Sequence, residues 1–193
     1  MFFEDEASFG RINELKNCWC PTGERPVVPK QMVREHITVF GAVEPKTGDF
    51  VYTTVHPPPK EKKKRGRPKK GTRKKKVKKL KKGEASRRMN EFMQKLADTY
   101  PNDRIVLVCD NAGWHKSQYI KIPDRVTLTY IPAYTPEMMP MEQIWRELRT
   151  SGFGNKYFNN LQEVDENIHT TITSIALETI LSITQRDWIL KCS

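Results

Sequence analysis

Ile105-Val106-Leu107-Val108-Cys109-Asp110 is the stretch that decides the fold. An unbroken apolar run closed by an acid has the pattern of a central strand covered on both faces. Its acid stands at the carboxyl edge, where open α/β sheets hold their ligands. Upstream, Met89, Phe92, Met93, Leu96, Ala97 and Tyr100 fall on one face of a helix. Downstream, Val126–Ile131 is a further strand, closed by Pro132. Strands joined through helices imply a mixed sheet with helices on its faces, so the expected fold class is α/β.

The remaining elements follow from local chemistry. Met1–Phe3 reads as the end of a short strand that runs into Glu4-Asp5-Glu6, placing Asp5 at the strand's end. Residues 10–34, broken by Pro21, Gly23, Pro26 and Pro29, are expected to be irregular. His36–Val43 and Phe50–Val55, separated by the turn-forming residues 44–49, predict an antiparallel hairpin. A short helix is expected after Asp110, another helix starting at Pro140, a further one over Leu161–Ile175, and a tail ending at Trp188-Ile189-Leu190. The whole chain, 1–193, is expected to be one domain.

Charge divides that domain in two. Lys60–Lys82 holds sixteen Lys or Arg and one acid, Glu61, and so carries +15 of a net +11, leaving −4 on the rest. A block of like charge repels itself, so residues 57–83 are expected to be a disordered or extended basic insert that attracts a polyanion, nucleic acid first of all. A solvated linker is the other use of such a block. Cys18, Cys20, Cys109 and Cys192 lack paired zinc-site spacing and fit reduced thiols better than a disulfide framework or a metal at Cys18/Cys20. The N-terminus opens on Phe2, Phe3 and acids rather than a secretory signal, and no apolar run reaches membrane-spanning length. The expected location is cytoplasmic.

Three acids stand where the backbone would aim them at one place: Asp5, Asp110 and Glu142. Met141, Ile144, Trp145 and Leu148 form the apolar stripe of the helix at Pro140, and Glu142 falls on its flank beside Arg146 and Arg149. That spacing serves two arrangements equally, a carboxylate reaching an active site or a Glu142–Arg146 surface pair. An Asp-Asp-Glu set suits divalent metal chemistry on phosphodiesters, because hard oxygen ligands hold Mg²⁺ while leaving room for water and phosphate.

Val108-Cys109-Asp110-Asn111-Ala112-Gly113-Trp114-His115-Lys116-Ser117 resembles the second catalytic block of the IS630/Tc1/mariner transposases. Ile131-Pro132-Ala133-Tyr134-Thr135-Pro136-Glu137-Met138-Met139-Pro140-Met141-Glu142-Gln143-Ile144-Trp145 is similar to their third block, and Phe3-Glu4-Asp5-Glu6-Ala7-Ser8-Phe9 to their first. The tail Ser182–Ile189 looks like the IS630 branch. The resemblance implies an RNase H-like, retroviral integrase-like fold, with Asp5, Asp110 and Glu142 as catalytic residues and as ligands of Mg²⁺ or Mn²⁺. It implies cut-and-paste transposition of double-stranded DNA, with transposon ends and TA-containing target as substrates and a homodimer in the DNA complex. The host it implies is bacterial, with the protein at the nucleoid when DNA-bound. Asn111, His115 and Arg146 would contact the ligands or the substrate; for His115, packing or capping near a helix start is the other arrangement.

Two positions depart from that pattern. Met139 stands where the family has Asn, which removes a polar contact, and thirty-one residues separate Asp110 from Glu142, slightly fewer than is common there. The chain also opens on the first catalytic block, so the N-terminal helix-turn-helix module of the family is expected to be lost or supplied by another reading frame. Within the insert, Arg65-Gly66-Arg67-Pro68-Lys69-Lys70-Gly71 resembles an AT-hook, and Lys63, Lys64, Arg65, Gly66, Arg67, Pro68, Lys69 and Lys70 are the expected DNA-binding residues. Its Arg-Gly-Arg core would enter an A·T-rich minor groove while the lysines touch phosphates. An inactive or repurposed copy that binds DNA through this loop, and a nuclease without strand transfer, are the competing functions.

Overall fold

The structure is a computed structural model that describes residues 1–58 and 83–192; the basic insert and its AT-hook-like core lie outside the described residues, except at the insert's two ends. Five strands form one mixed sheet: β1 (Phe2–Ile12), β2 (Met32–Val43), β3 (Phe50–Val55), β4 (Ile105–Cys109) and β5 (Val126–Tyr130), in the spatial order β3-β2-β1-β4-β5. β1, β2 and β3 pair antiparallel, whereas β4 joins β1, and β5 joins β4, in parallel. The helices are α1 (Glu84–Thr99), α2 (Met141–Leu148), α3 (Leu161–Ser174), α4 (Leu177–Thr184) and α5 (Asp187–Cys192). The expected α/β class and the helices on both faces of the sheet are present.

Each face of the sheet has its own core. Phe2, Ala42, Leu107 and Cys109 meet Met89, Phe92, Met93 and Leu96 of α1 on one side. Phe3, Ala7, Phe9, Val39, Val43 and Val108 meet Met141, Ile144, Trp145 and Leu148 of α2, with Val164 and Ile168 of α3, on the other. The period of two along β1 therefore separates neighbouring acids: Asp5 shares a face with Phe3 and Ala7, and Glu4 shares one with Phe2.

Several expectations need correction. β1 does not stop at Phe3; it continues to Ile12, so Asp5 lies within the strand. Pairing with β2 from Phe3 to Ile12, with one shift of register between Gly10 and Arg11, overrides the low strand preference of its three acids. β2 likewise begins at Met32, and the irregular segment shrinks to the residues between the two strands. No helix lies between β4 and β5, where a short one was expected; successive turns close through His115 N–H to Ala112 O at 3.1 Å and Ser117 N–H to Trp114 O at 3.1 Å. β4 is not covered throughout, because Val106 is 40% exposed. The tail, for which no element was expected, forms two short helices.

Gly41 shows how tightly α2 sits on the sheet. It lies opposite Asp5 in the β1–β2 register. A Cβ at Gly41 would come within 2.7 Å of the Trp145 ring and 2.8 Å of the Met141 methyl. Gly41→Ala is expected to lower stability by about 1–3 kcal/mol through overpacking. The check is a shift in the denaturant midpoint without a change in its slope. Cys109 is fully buried while Cys18 and Cys20 are exposed. Burial and then the charge of Glu4 push the Cys109 thiol well above its usual range. Peptide mapping after a thiol reagent at pH 8 should find Cys18 and Cys20 modified and Cys109 untouched until the chain unfolds.

Candidate active site

The parallel pairing of β1 with β4 sets the geometry. Phe2 lies beside Leu107 and Phe3 beside Val108. Continuing that register by two residues brings Asp5 level with Asp110, and each stands two residues after one that faces α2, Phe3 and Val108. Asp110 leaves β4 at its carboxyl end, and Glu142 occupies the first turn of α2. All three acids line one cleft of about 380 Å³, together with Asn111, Tyr134, Thr135 and Met139.

Each acid is held differently. The Trp145 Nε1–H donates to Asp5 Oδ2 at 3.0 Å. Burial, then the charges of Glu6 and Glu142, raise Asp5 to about 7 against the relief given by that indole. Asp110 Oδ1 accepts from the Ala112 N–H at 3.0 Å and sits 2.9 Å from His115 Nδ1. Glu142 is exposed, and among the described residues it forms no ion pair with Arg146. The alternative of a Glu142–Arg146 surface pair is thus not the arrangement formed.

The other expected residues divide. Asn111 lines the cleft. His115 is buried at 3% exposure and belongs to a turn, not a helix start. Its Nδ1 faces Asp110, and its Nε2 lies 3.7 Å from Glu6 Oε1, a distance of charge attraction rather than a hydrogen bond. Burial pulls the imidazole down, but contact with Glu6 and Asp110 outweighs it, and the net shift is upward. Arg146 is exposed and does not line the cleft. Met139 is buried where a polar residue was expected, and its backbone oxygen receives the Glu142 N–H at 3.2 Å. Apolar packing and the main chain therefore hold this corner.

Sequence reasoning passed over Trp145, Glu4 and Glu6. Trp145 read only as core, yet its one polar atom serves Asp5. Glu4 is fully buried beside Cys109 with neither carboxylate oxygen hydrogen-bonded, and burial followed by the charge of Glu6 raises it well above its usual range. Alternation along β1 would have placed Glu4 and Glu6 behind the sheet had the strand been carried past Phe3.

The donor set suits a divalent cation. Hard carboxylate oxygens share a cleft that no Lys or Arg lines, and the charges of Glu6 and Glu142 add to burial in raising Asp5. Among the described residues no three acidic, His or Cys side chains are gathered tightly enough to enclose an ion by themselves. Mg²⁺ needs no such cage, since it keeps waters and shares substrate phosphate.

Residues 79–165 match the family model described as DDE superfamily endonuclease. Over 85 residues the chain is 31% identical to the uncharacterized protein y4pE/y4sA of Sinorhizobium fredii, which covers 43% of this chain and 63% of that protein. Among solved structures it is similar to the Mos1 transposase paired-end complex with left transposon end, with TM-score 0.62 and 13% identity over 95% of this chain and 50% of that one. A pre-cleavage Mos1 transpososome gives TM-score 0.64 and 12% identity over 99% and 54%. The catalytic domain of Mos1 mariner transposase gives 0.55 and 11% over 95% and 74%. The chain thus spans about half the length of the full transposase chains it matches and less than two thirds of the curated relative. Residues 79–165, under half of the chain, are thus similar to the DDE superfamily endonuclease model, and the described chain shares the RNase H-like fold of the Mos1 transposase catalytic domain.

Proposed function

We propose that this chain is the catalytic domain of an IS630/Tc1/mariner-type transposase, a metal-dependent enzyme that cuts DNA and joins the freed end to a target. The observation that carries this reading is the meeting of Asp5, Asp110 and Glu142, from a strand, a strand end and a helix, in one cleft. A bound Mg²⁺ or Mn²⁺ supplies the positive charge that activates an attacking oxygen and steadies the leaving oxygen of a phosphodiester. The chain's own residues set the stage. Trp145 fixes Asp5, while Ala112 and His115 fix Asp110, so two carboxylates keep their places before substrate arrives. Glu142, exposed and without an ion-pair partner among the described residues, completes the set as DNA enters. Asn111 contacts the substrate from the cleft wall.

By family likeness the substrates are transposon ends and TA-containing target DNA, the acting form is a homodimer, and the setting is a bacterial nucleoid. By the same likeness a helix-turn-helix module would supply recognition of the ends. The basic insert joins the same DNA. β3 runs parallel to β1 and ends level with Ser8, beyond Asp5. α1 is bonded to the loop after Asp110 through Asn90 with Tyr119 and Lys121. The described residues at the two ends of the insert therefore lie toward the edge that carries the acids, and a segment of that charge would neutralise phosphates of the same DNA.

With an end-recognition module supplied in trans, the chain should nick and join matched transposon-end DNA in Mg²⁺ or Mn²⁺. Asp110→Asn should lose at least roughly a thousandfold in rate while still binding DNA. Binding without nicking by the unmodified chain would leave a DNA-binding protein instead. Changing Arg65 and Arg67 together to Ala should reduce preference for A·T-rich over G·C-rich duplex in competition binding. An unchanged preference would reject minor-groove insertion, and equal loss on both duplexes would assign the insert to phosphate contact alone.

A further inference from the structure

Tyr134 is fully exposed at 100%, yet it lies on the lip of the cleft that holds the three acids. Its backbone φ is 64°, a left-handed conformation that costs a bulky L-residue energy and persists only where the surroundings impose it. The surroundings here are a short, stiff bridge. At one end the Ile131 N–H donates to Cys109 O at 3.0 Å, beside Asp110. At the other, Met139 O receives the Glu142 N–H. Between them stand Pro132 and Pro136, and the Thr135 hydroxyl donates to Pro132 O at 2.6 Å. The bridge thus spans from the second acid to the third and holds an aromatic ring outward at its tip. Among the described residues no hydrogen bond or ring contact engages that ring.

The lining of the cleft limits what the ring can meet. Three carboxylates and no cationic side chain line it, so nothing in its wall attracts a phosphate by charge except through a bound metal. Tyr134 is the one aromatic among its lining residues. A rigid, flat, uncharged surface beside a phosphodiester-cleaving centre matches the face of a nucleobase, and base–aromatic stacking is sequence-tolerant. We propose that Tyr134 is a positioning residue that stacks on a base unpaired next to the scissile phosphate, holding the DNA end open over the three acids. The inference rests on the phosphodiester-cleaving function proposed above.

The test compares two duplexes carrying the terminal inverted repeat of the element that encodes this chain, one fully paired and one mismatched at the cleavage position, with Mn²⁺ and the end-recognition module present. Tyr134→Asn removes the ring while keeping a residue that accepts left-handed backbone. Full exposure of the side chain predicts an unchanged melting temperature. The expected result is about a tenfold slower nicking of the paired duplex, largely restored on the mismatched one, with Tyr134→Phe behaving as the unmodified chain. Equal rates for Tyr134→Asn and the unmodified chain on paired DNA would overturn the proposal. So would an equal loss on both duplexes, or a loss in Tyr134→Phe as large as in Tyr134→Asn. Failure of the unmodified chain to nick either duplex would instead defeat the nuclease function itself, and the proposal with it.

Discussion

The Trp145 indole is the contact on which the site depends. Its ring occupies the space left by the missing side chain of Gly41, and its N–H reaches the carboxylate of Asp5 on the neighbouring strand. One residue therefore ties α2 to the sheet and orients a candidate metal ligand. Because Glu142 lies three residues earlier on the same helix, the seating of Trp145 also fixes where the third acid enters the cleft. Packing and chemistry are coupled here through a single side chain. A buried indole whose N–H has a partner satisfies both demands.

Around that contact the molecule concentrates negative charge. Glu4, Asp5 and Glu6 are consecutive on β1, and alternation sends Asp5 toward the cleft and Glu4 to the opposite face. His115 stands between Asp110 and Glu6, so the second acid is braced by an imidazole that is drawn upward by both carboxylates. Burial first, and then the charges of Glu6 and Glu142, raise Asp5. A cleft of this kind is short of positive charge, which a divalent ion and its waters would supply without a closed protein cage.

Much of this was legible in the chain. The apolar run ending at Asp110 marked the strand, the 3.6-residue spacing from Met89 marked α1, and the ordered blocks marked the three acids. Reading failed where local preference and pairing disagreed. The acids of β1 suppressed its strand signal, and only its partner β2 shows that the strand continues to Ile12. Turn residues after Asp110 looked helical in prospect, yet they form successive turns that bring His115 back to the carboxylate. Met139, expected to leave a polar contact unmade, is instead buried and held by packing.

Sequence by itself determined the alternation of strands and helices and the charge of the insert, because these depend on residue type and short-range spacing, while the three acids were singled out by the resemblance of their blocks. Tertiary structure alone decided that Asp5 and Asp110 stand level, since that follows from a parallel register between segments about a hundred residues apart. It likewise decided that Trp145 serves Asp5, that Glu142 forgoes Arg146, and that Tyr134 stands outward at the lip. Those facts arise from long-range pairing and close packing, where a side chain's role is set by what folds against it rather than by its neighbours in the chain.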